Sequence, residues 1–167
     1  MYSSISGKNK PPTLNWLSRP KVAATLNRLG AISRAAGISL YYHNHAFEFD
    51  VHDGVRGWDI LTAETDPALV GLELDCYWAV YAGEDPAALI RKNAGRFPLV
   101  HLKDMIGSGA ERTWAEVGEG TIDWQPVFAA SEAQGVHWYI VEQDRCARPT
   151  LESARLSITH LKKWGKG

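Results

Sequence analysis

Four short apolar runs, each closing on charged or imidazole side chains, constrain what this chain can fold into. The runs ISLYYHNHAFEF, VGLELD, PLVHLKD and VHWYIVEQD are rich in aliphatic, β-branched and aromatic residues and read as strands. Helical patterns lie between them. Val22, Leu26, Leu29, Ile32 and Ala36 recur at helical spacing before the stop residue Gly37. DPAALIRKNAGRF reads as a helix running into Gly95, and residues 122–134 as another closed by Gly135. Residues 150–164 read as a final amphipathic helix. Strands alternate with helices, and three of the four strands are short and mostly apolar. That pattern predicts an α/β fold with a parallel sheet covered by helices.

Such alternation suits a doubly wound sheet or a barrel. No GxGxxG follows a strand, and GEG at 118–120 precedes a helix, so dinucleotide binding is disfavoured. With 167 residues, 45% of them hydrophobic, the chain is long enough for one domain with a substantial core. A formal net charge of −1 argues against a nucleic-acid binder. No apolar run approaches the roughly 18–20 residues of a membrane span. MYSSISGKNKPPT lacks the apolar stretch of a secretory signal. Cys76 and Cys146 lack CxxC spacing and read as free thiols of a cytoplasmic protein. Residues 1–20, with Pro11, Pro12 and Pro20, read as a poorly structured leader, and residues 21–167 as the folded unit.

The chemistry is written at the strand ends. The first strand carries His43, Asn44 and His45, with Glu48 just beyond; the second ends on Glu73 and Asp75. The third ends on His101, Lys103 and Asp104, the fourth on Glu142 and Asp144. In a parallel α/β fold the C-terminal strand ends share one edge, where barrel active sites are built. Alternation puts residues i and i+2 on one face, so His43 joins His45, Glu73 joins Asp75, His101 joins Lys103 and Glu142 joins Asp144. Imidazoles and carboxylates converging on one rim suit a divalent ion, with Mn²⁺, Co²⁺, Mg²⁺ and Zn²⁺ all reasonable without thiolates. Lys103 adds a positive charge able to hold a substrate oxygen or stabilise an enediolate.

HNHAFEF, LELDCYW, PLVHLKD, VGEGTIDW and YIVEQD, in this order, resemble the sugar phosphate isomerase/epimerase proteins of the xylose isomerase-like barrel superfamily. The resemblance implies a (β/α)8 barrel of TIM type, of which this chain supplies the C-terminal four βα units. It also implies one divalent ion held by a Glu, an Asp, a His and a second Glu on four successive strands. Asp75, His101 and Glu142 match the last three, and Glu142 doubles as an acid/base. The first position departs from the pattern: His43 stands before Asn44 as the substitute ligand, and Glu48 is the competing one. His45 is then a candidate base. Several relatives carry a His three residues after the Asp, where this chain has Trp78. Trp78 cannot ligate a metal but can wall a sugar face, which weighs against a multinuclear, nucleic-acid-cutting site. Trp114 is a candidate for closing the pocket.

The implied activity is isomerisation or epimerisation of a sugar, keto sugar or cyclitol by proton abstraction next to a carbonyl. The alternatives are a lyase or dehydratase on a keto sugar, or a non-catalytic half barrel that binds sugar or a partner. A half barrel has two open sheet edges, which favours a homodimer or a partner half barrel. Residues such as Leu74, Leu102 and Val141, or their inward neighbours, are expected to lose cover.

Overall fold

The computed structural model describes residues 19–166, so the leader expected over 1–20 falls, except for its last two residues, outside the described residues. The four apolar runs become β1 (Leu40–His43), β4 (Val70–Asp75), β5 (Leu99–Leu102) and β8 (Trp138–Val141), one sheet in the order β1-β4-β5-β8. All three pairings are parallel. Helix α1 (Arg19–Ala35) precedes β1; α2 (Gly57–Glu64), α3 (Cys76–Tyr81), α4 (Pro86–Lys92) and α5 (Trp124–Gln134) lie in the connections, and α6 (Thr150–Lys163) follows β8. Two hairpins, β2 (Val51–His52) with β3 (Val55–Arg56) and β6 (Asp104–Ile106) with β7 (Thr113–Ala115), lie in loops that the sequence pattern leaves featureless.

The register sorts the side chains. His43 pairs with Glu73, Asp75 with His101, and His101 with Ile140, so these share the face opposite the helices. Leu72, Leu74, Val100 and Leu102 point the other way and are fully buried, against Trp58, Phe97, Trp124 and Phe128. Leu74 and Leu102 therefore keep their cover, contrary to expectation, because they face the helical layer and not the inner one. The residues that lack cover lie on β8, where Trp138 is 68% exposed and Ile140 and Val141 more than a third exposed.

Local chemistry sets the helix ends. Asp85 caps α4, accepting from Ala87 N and Ala88 N, with Pro86 in the first turn. Asp123 caps α5, and Gly135, at φ +73°, closes it in the left-handed conformation. The apolar spacing misjudged α1: Leu29 and Ile32 are exposed, and its sheet-side face is Ala23 and Gly30. A Cβ on Gly30 would meet Leu69 O at 2.4 Å, so α1 packs there backbone to backbone. Among the described residues no helix is long and apolar enough to cross a membrane.

Candidate metal centre

Each strand delivers one side chain to the C-terminal edge of the sheet. His43 and Asp75 are the last residues of β1 and β4, His101 is next to last in β5, and Glu142 follows β8 directly. One ligand atom from each of these four lies within 4.8 Å of the others. His43 Nε2 is 3.1 Å from Asp75 Oδ2, and His101 Nδ1 is 3.8 Å from that oxygen and 2.6 Å from Glu142 Oε2. His101 Nδ1 and Glu142 Oε2 are buried, and neither has a hydrogen-bond partner of proper geometry among the described residues. Two orphaned polar atoms facing each other in a cluster of imidazoles and carboxylates are what a divalent cation would satisfy. The donor set fits such an ion, and the His–Asp–His–Glu cluster can hold one.

Two buried groups build the frame. Asn44, fully buried at the end of β1, accepts from Asp75 N at 2.9 Å and donates to His45 O at 3.3 Å. It thereby ties the ends of β1 and β4 together and sets His43 against Asp75. Asp75 Oδ1 accepts from Trp78 N at 3.1 Å, capping α3 and leaving Oδ2 to the site.

Lys103 is 1% exposed, with Nζ 3.0 Å from Asp75 Oδ2, 3.2 Å from Glu142 Oε1 and 3.1 Å from Asp144 Oδ2. Burial alone would raise the Asp75 carboxyl, but the His101 and His43 imidazoles, the Lys103 ammonium and the Trp78 N–H together hold it well below the usual carboxylate range. Burial pulls His101 down, yet Asp75, Glu73 and Glu142 outweigh it and lift the imidazole above its ordinary value. Glu73 approaches the far side of that ring, 2.7 Å from Nε2. Lys103 is likewise raised: burial opposes its charge, and Asp75, Asp144 and Glu142 more than offset it.

Glu48 stands apart from the cluster. Strand β1 ends at His43, and the HNHAFEF segment turns into a short 3₁₀ helix over Phe47–Phe49. Glu48 is fully buried there, accepting from Tyr42 Oη at 2.7 Å and His45 N at 2.9 Å. Burial raises its carboxyl despite both bonds. His45 is therefore not set beside His43 by strand alternation, as the sequence suggested. The turn nevertheless leaves its ring 5.1 Å from that of His43 and 5.4 Å from that of Trp78. Trp78 flanks the site, with Lys103 Nζ 5.8 Å from its ring. Trp114, in β7, stacks on Tyr77, whose ring in turn meets Trp78 edge-on.

Asp104 belongs to the loop and not to the site. Fully buried, it accepts from Met105 N, Gly118 N, Gly120 N, Ile122 N and Trp124 Nε1. The VGEGTIDW motif is thus a nest of donors around one carboxylate. A Cβ on Gly120 would lie 2.2 Å from Asp104 Oδ1, so this glycine is required by close approach.

A parallel sheet with helices on one face, and a His–Asp–His–Glu cluster able to hold a metal ion at its C-terminal strand ends, has the form of part of a TIM-type barrel. The chain belongs to the xylose isomerase-like TIM barrel family, which it matches over residues 3–164. It is similar to an inosose dehydratase of Geobacillus thermodenitrificans, at 32% identity over 139 residues, which is 72% of this chain and 45% of that protein. An inosose dehydratase of Clostridium beijerinckii is 31% identical over 163 residues, 85% of this chain and 53% of the relative. A solved sugar phosphate isomerase/epimerase of Parabacteroides distasonis superposes with a TM-score of 0.76 at 30% identity, over 88% of this chain and 52% of that one. The chain spans about half the length of the curated relatives it matches.

Proposed function

We propose that the chain carries the metal-binding half of a site that removes a proton next to the carbonyl of a sugar, keto sugar or cyclitol. The observation that carries this reading is that each of the four residues brings a ligand atom within 4.8 Å of the others, while His101 Nδ1 and Glu142 Oε2 are buried without a hydrogen bond among the described residues. His43, Asp75, His101 and Glu142 would hold the ion. When bound, a divalent cation supplies polarisation of vicinal substrate oxygens and so acidifies the neighbouring C–H.

The chain's own residues supply the rest. Glu142 accepts the proton through a carboxylate oxygen, with His45, exposed at the rim, as the second candidate base. The Lys103 ammonium faces the oxygen on which negative charge gathers. Trp78 offers an apolar wall to a sugar ring face. Return of the proton to carbon gives epimerisation when it reaches the opposite face of the same carbon. It gives isomerisation when it reaches the former carbonyl carbon, with the hydroxyl proton passing to the other oxygen. Expulsion of a neighbouring hydroxyl, protonated as it leaves as water, gives dehydration. The names of the curated relatives favour the second outcome on a cyclitol; the solved neighbour favours the first.

The test is solvent-deuterium exchange followed by NMR, on a panel of keto sugars and inososes with Mn²⁺, Co²⁺, Mg²⁺ or Zn²⁺. Metal-dependent deuterium uptake beside the carbonyl, abolished by EDTA and by Glu142→Gln, is the expected result. Uptake indifferent to EDTA overturns the metal reading, and no uptake from the chain at any metal overturns catalysis by this half alone.

A further inference from the structure

Lys103 poses a problem that the ligand set does not solve. Its ammonium is 1% exposed and touches three carboxylate oxygens, on Asp75, Glu142 and Asp144. Two of those carboxylates are the ones the proposed ion needs. Asp75 Oδ2, 3.0 Å from Nζ, is also the oxygen that His43 Nε2 meets at 3.1 Å. Without an ion the ammonium neutralises the pair as a resident cation. When the ion enters, Asp75 and Glu142 direct their charge to it, and a buried ammonium beside a divalent cation becomes costly unless it keeps a counter-charge of its own.

Asp144 is that counter-charge. It lies two residues beyond Glu142, outside the four-residue cluster. It accepts a hydrogen bond from Lys103 Nζ at Oδ2, at 3.1 Å, and is the one of the three carboxylates that the ion would not need. The charges pair off: two ligand carboxylates against a divalent ion, and Lys103 against Asp144. We infer that Asp144 is a positioning residue that holds the Lys103 ammonium aside so that the ion and the lysine can occupy the site together. This rests on the metal reading above.

The geometry demands a coupling between Asp144 and Lys103 that a bare change of charge would not produce. In the 167-residue chain, Mn²⁺ and Zn²⁺ affinity is measured by competition against a chromophoric chelator for wild type, Asp144→Asn, Lys103→Gln and the double variant. Asp144→Asn returns the ammonium to Asp75 and Glu142 and weakens affinity about tenfold, the usual size of an outer-shell effect. Lys103→Gln removes the competitor, so affinity stays at or above that of wild type, and adding Asp144→Asn to it changes affinity by less than about twofold. Asp144→Glu, which keeps the charge, recovers most of the loss. Thermal melts confirm that each variant is folded, and Lys103→Met repeats the cycle where Lys103→Gln is not. If Asp144→Asn weakens binding equally with and without Lys103, the residue acts only through long-range charge and the inference fails while the metal reading stands. If wild type binds neither ion, both fail.

Discussion

Asp104→Asn tests whether the VGEGTIDW loop is held by one carboxylate. The carboxylate divides its donors: Oδ1 accepts from Met105 N at 2.8 Å and Ile122 N at 3.1 Å, and Oδ2 from Gly118 N, Gly120 N and Trp124 Nε1 at 2.9, 3.3 and 2.9 Å. An asparagine has one carbonyl oxygen. Turned toward the larger set, it sets its NH₂ against the N–H groups of Met105 and Ile122. Two hydrogen bonds to a charged acceptor are then lost, at about 1.5–3 kcal/mol each, or about 3–6 kcal/mol in total. Water cannot easily replace them, because Asp104 is fully buried. For a chain of this size, each kcal/mol lowers Tm by about 2–4 °C, so the expected fall is roughly 6–24 °C. Urea titration followed by near-UV circular dichroism, which reports Trp124 in its packed setting, measures the loss. Asp123→Asn is the control: it makes the same change of charge at the exposed cap of α5, where asparagine caps as well as aspartate, and should be nearly neutral. A loss under about 1 kcal/mol for Asp104→Asn, or equal losses for both, would refute the account.

The metal-free chain should be most stable in mildly acidic solution. The depressed Asp75 carboxyl contributes stability present above its unfolded pKa of about 3.9 and lost as pH falls. The raised His101 contributes stability present below about 6.5 and lost as pH rises through its folded value. Urea midpoints in EDTA should therefore peak between about pH 4 and 6.5, and a midpoint still climbing at pH 9 would contradict the pairing. His43→Ala should cost metal affinity with little loss of stability, whereas Glu48→Ala, which strands the Tyr42 hydroxyl and the His45 N–H, should lower stability by about 1–3 kcal/mol. Chelator competition and melts on both variants separate these roles; a large affinity loss confined to Glu48→Ala would make Glu48 the ligand. Finally, with Trp138 and Ile140 exposed on the inner face of an edge strand, the chain should self-associate at micromolar concentration. Sedimentation of wild type against Trp138→Ser checks this, and a cooperatively melting monomer for both would count against it.

The existence of the strands was legible because period-2 and period-3.6 patterns in VGLELD, LVHL and the helices report which side of each element meets apolar neighbours. The shared polar edge was legible for the same reason, since carboxylates and imidazoles end each apolar strand; that Asp75, His101 and Glu142 stand out among them came from the family resemblance. The pattern failed wherever burial was achieved by something other than aliphatic spacing. Helix α1 packs through Ala23 and Gly30, whose small size permits the approach, while Leu29 and Ile32 stay exposed. Strand β1 stops at His43, because Glu48 draws the chain into a turn by accepting the His45 N–H, a bond between residues three apart that no alternation foretells. Asp104 and Asp144 look alike as acidic residues after a strand. Only the tertiary structure surrounds the first with five donors, three of them from the 118–122 loop, and sets the second against a lysine 41 residues away. Sequence periodicity thus determines which face of an element is apolar, since that depends on neighbours along one chain segment. The partner of a buried charge depends on groups brought from distant segments, and folding alone assigns it.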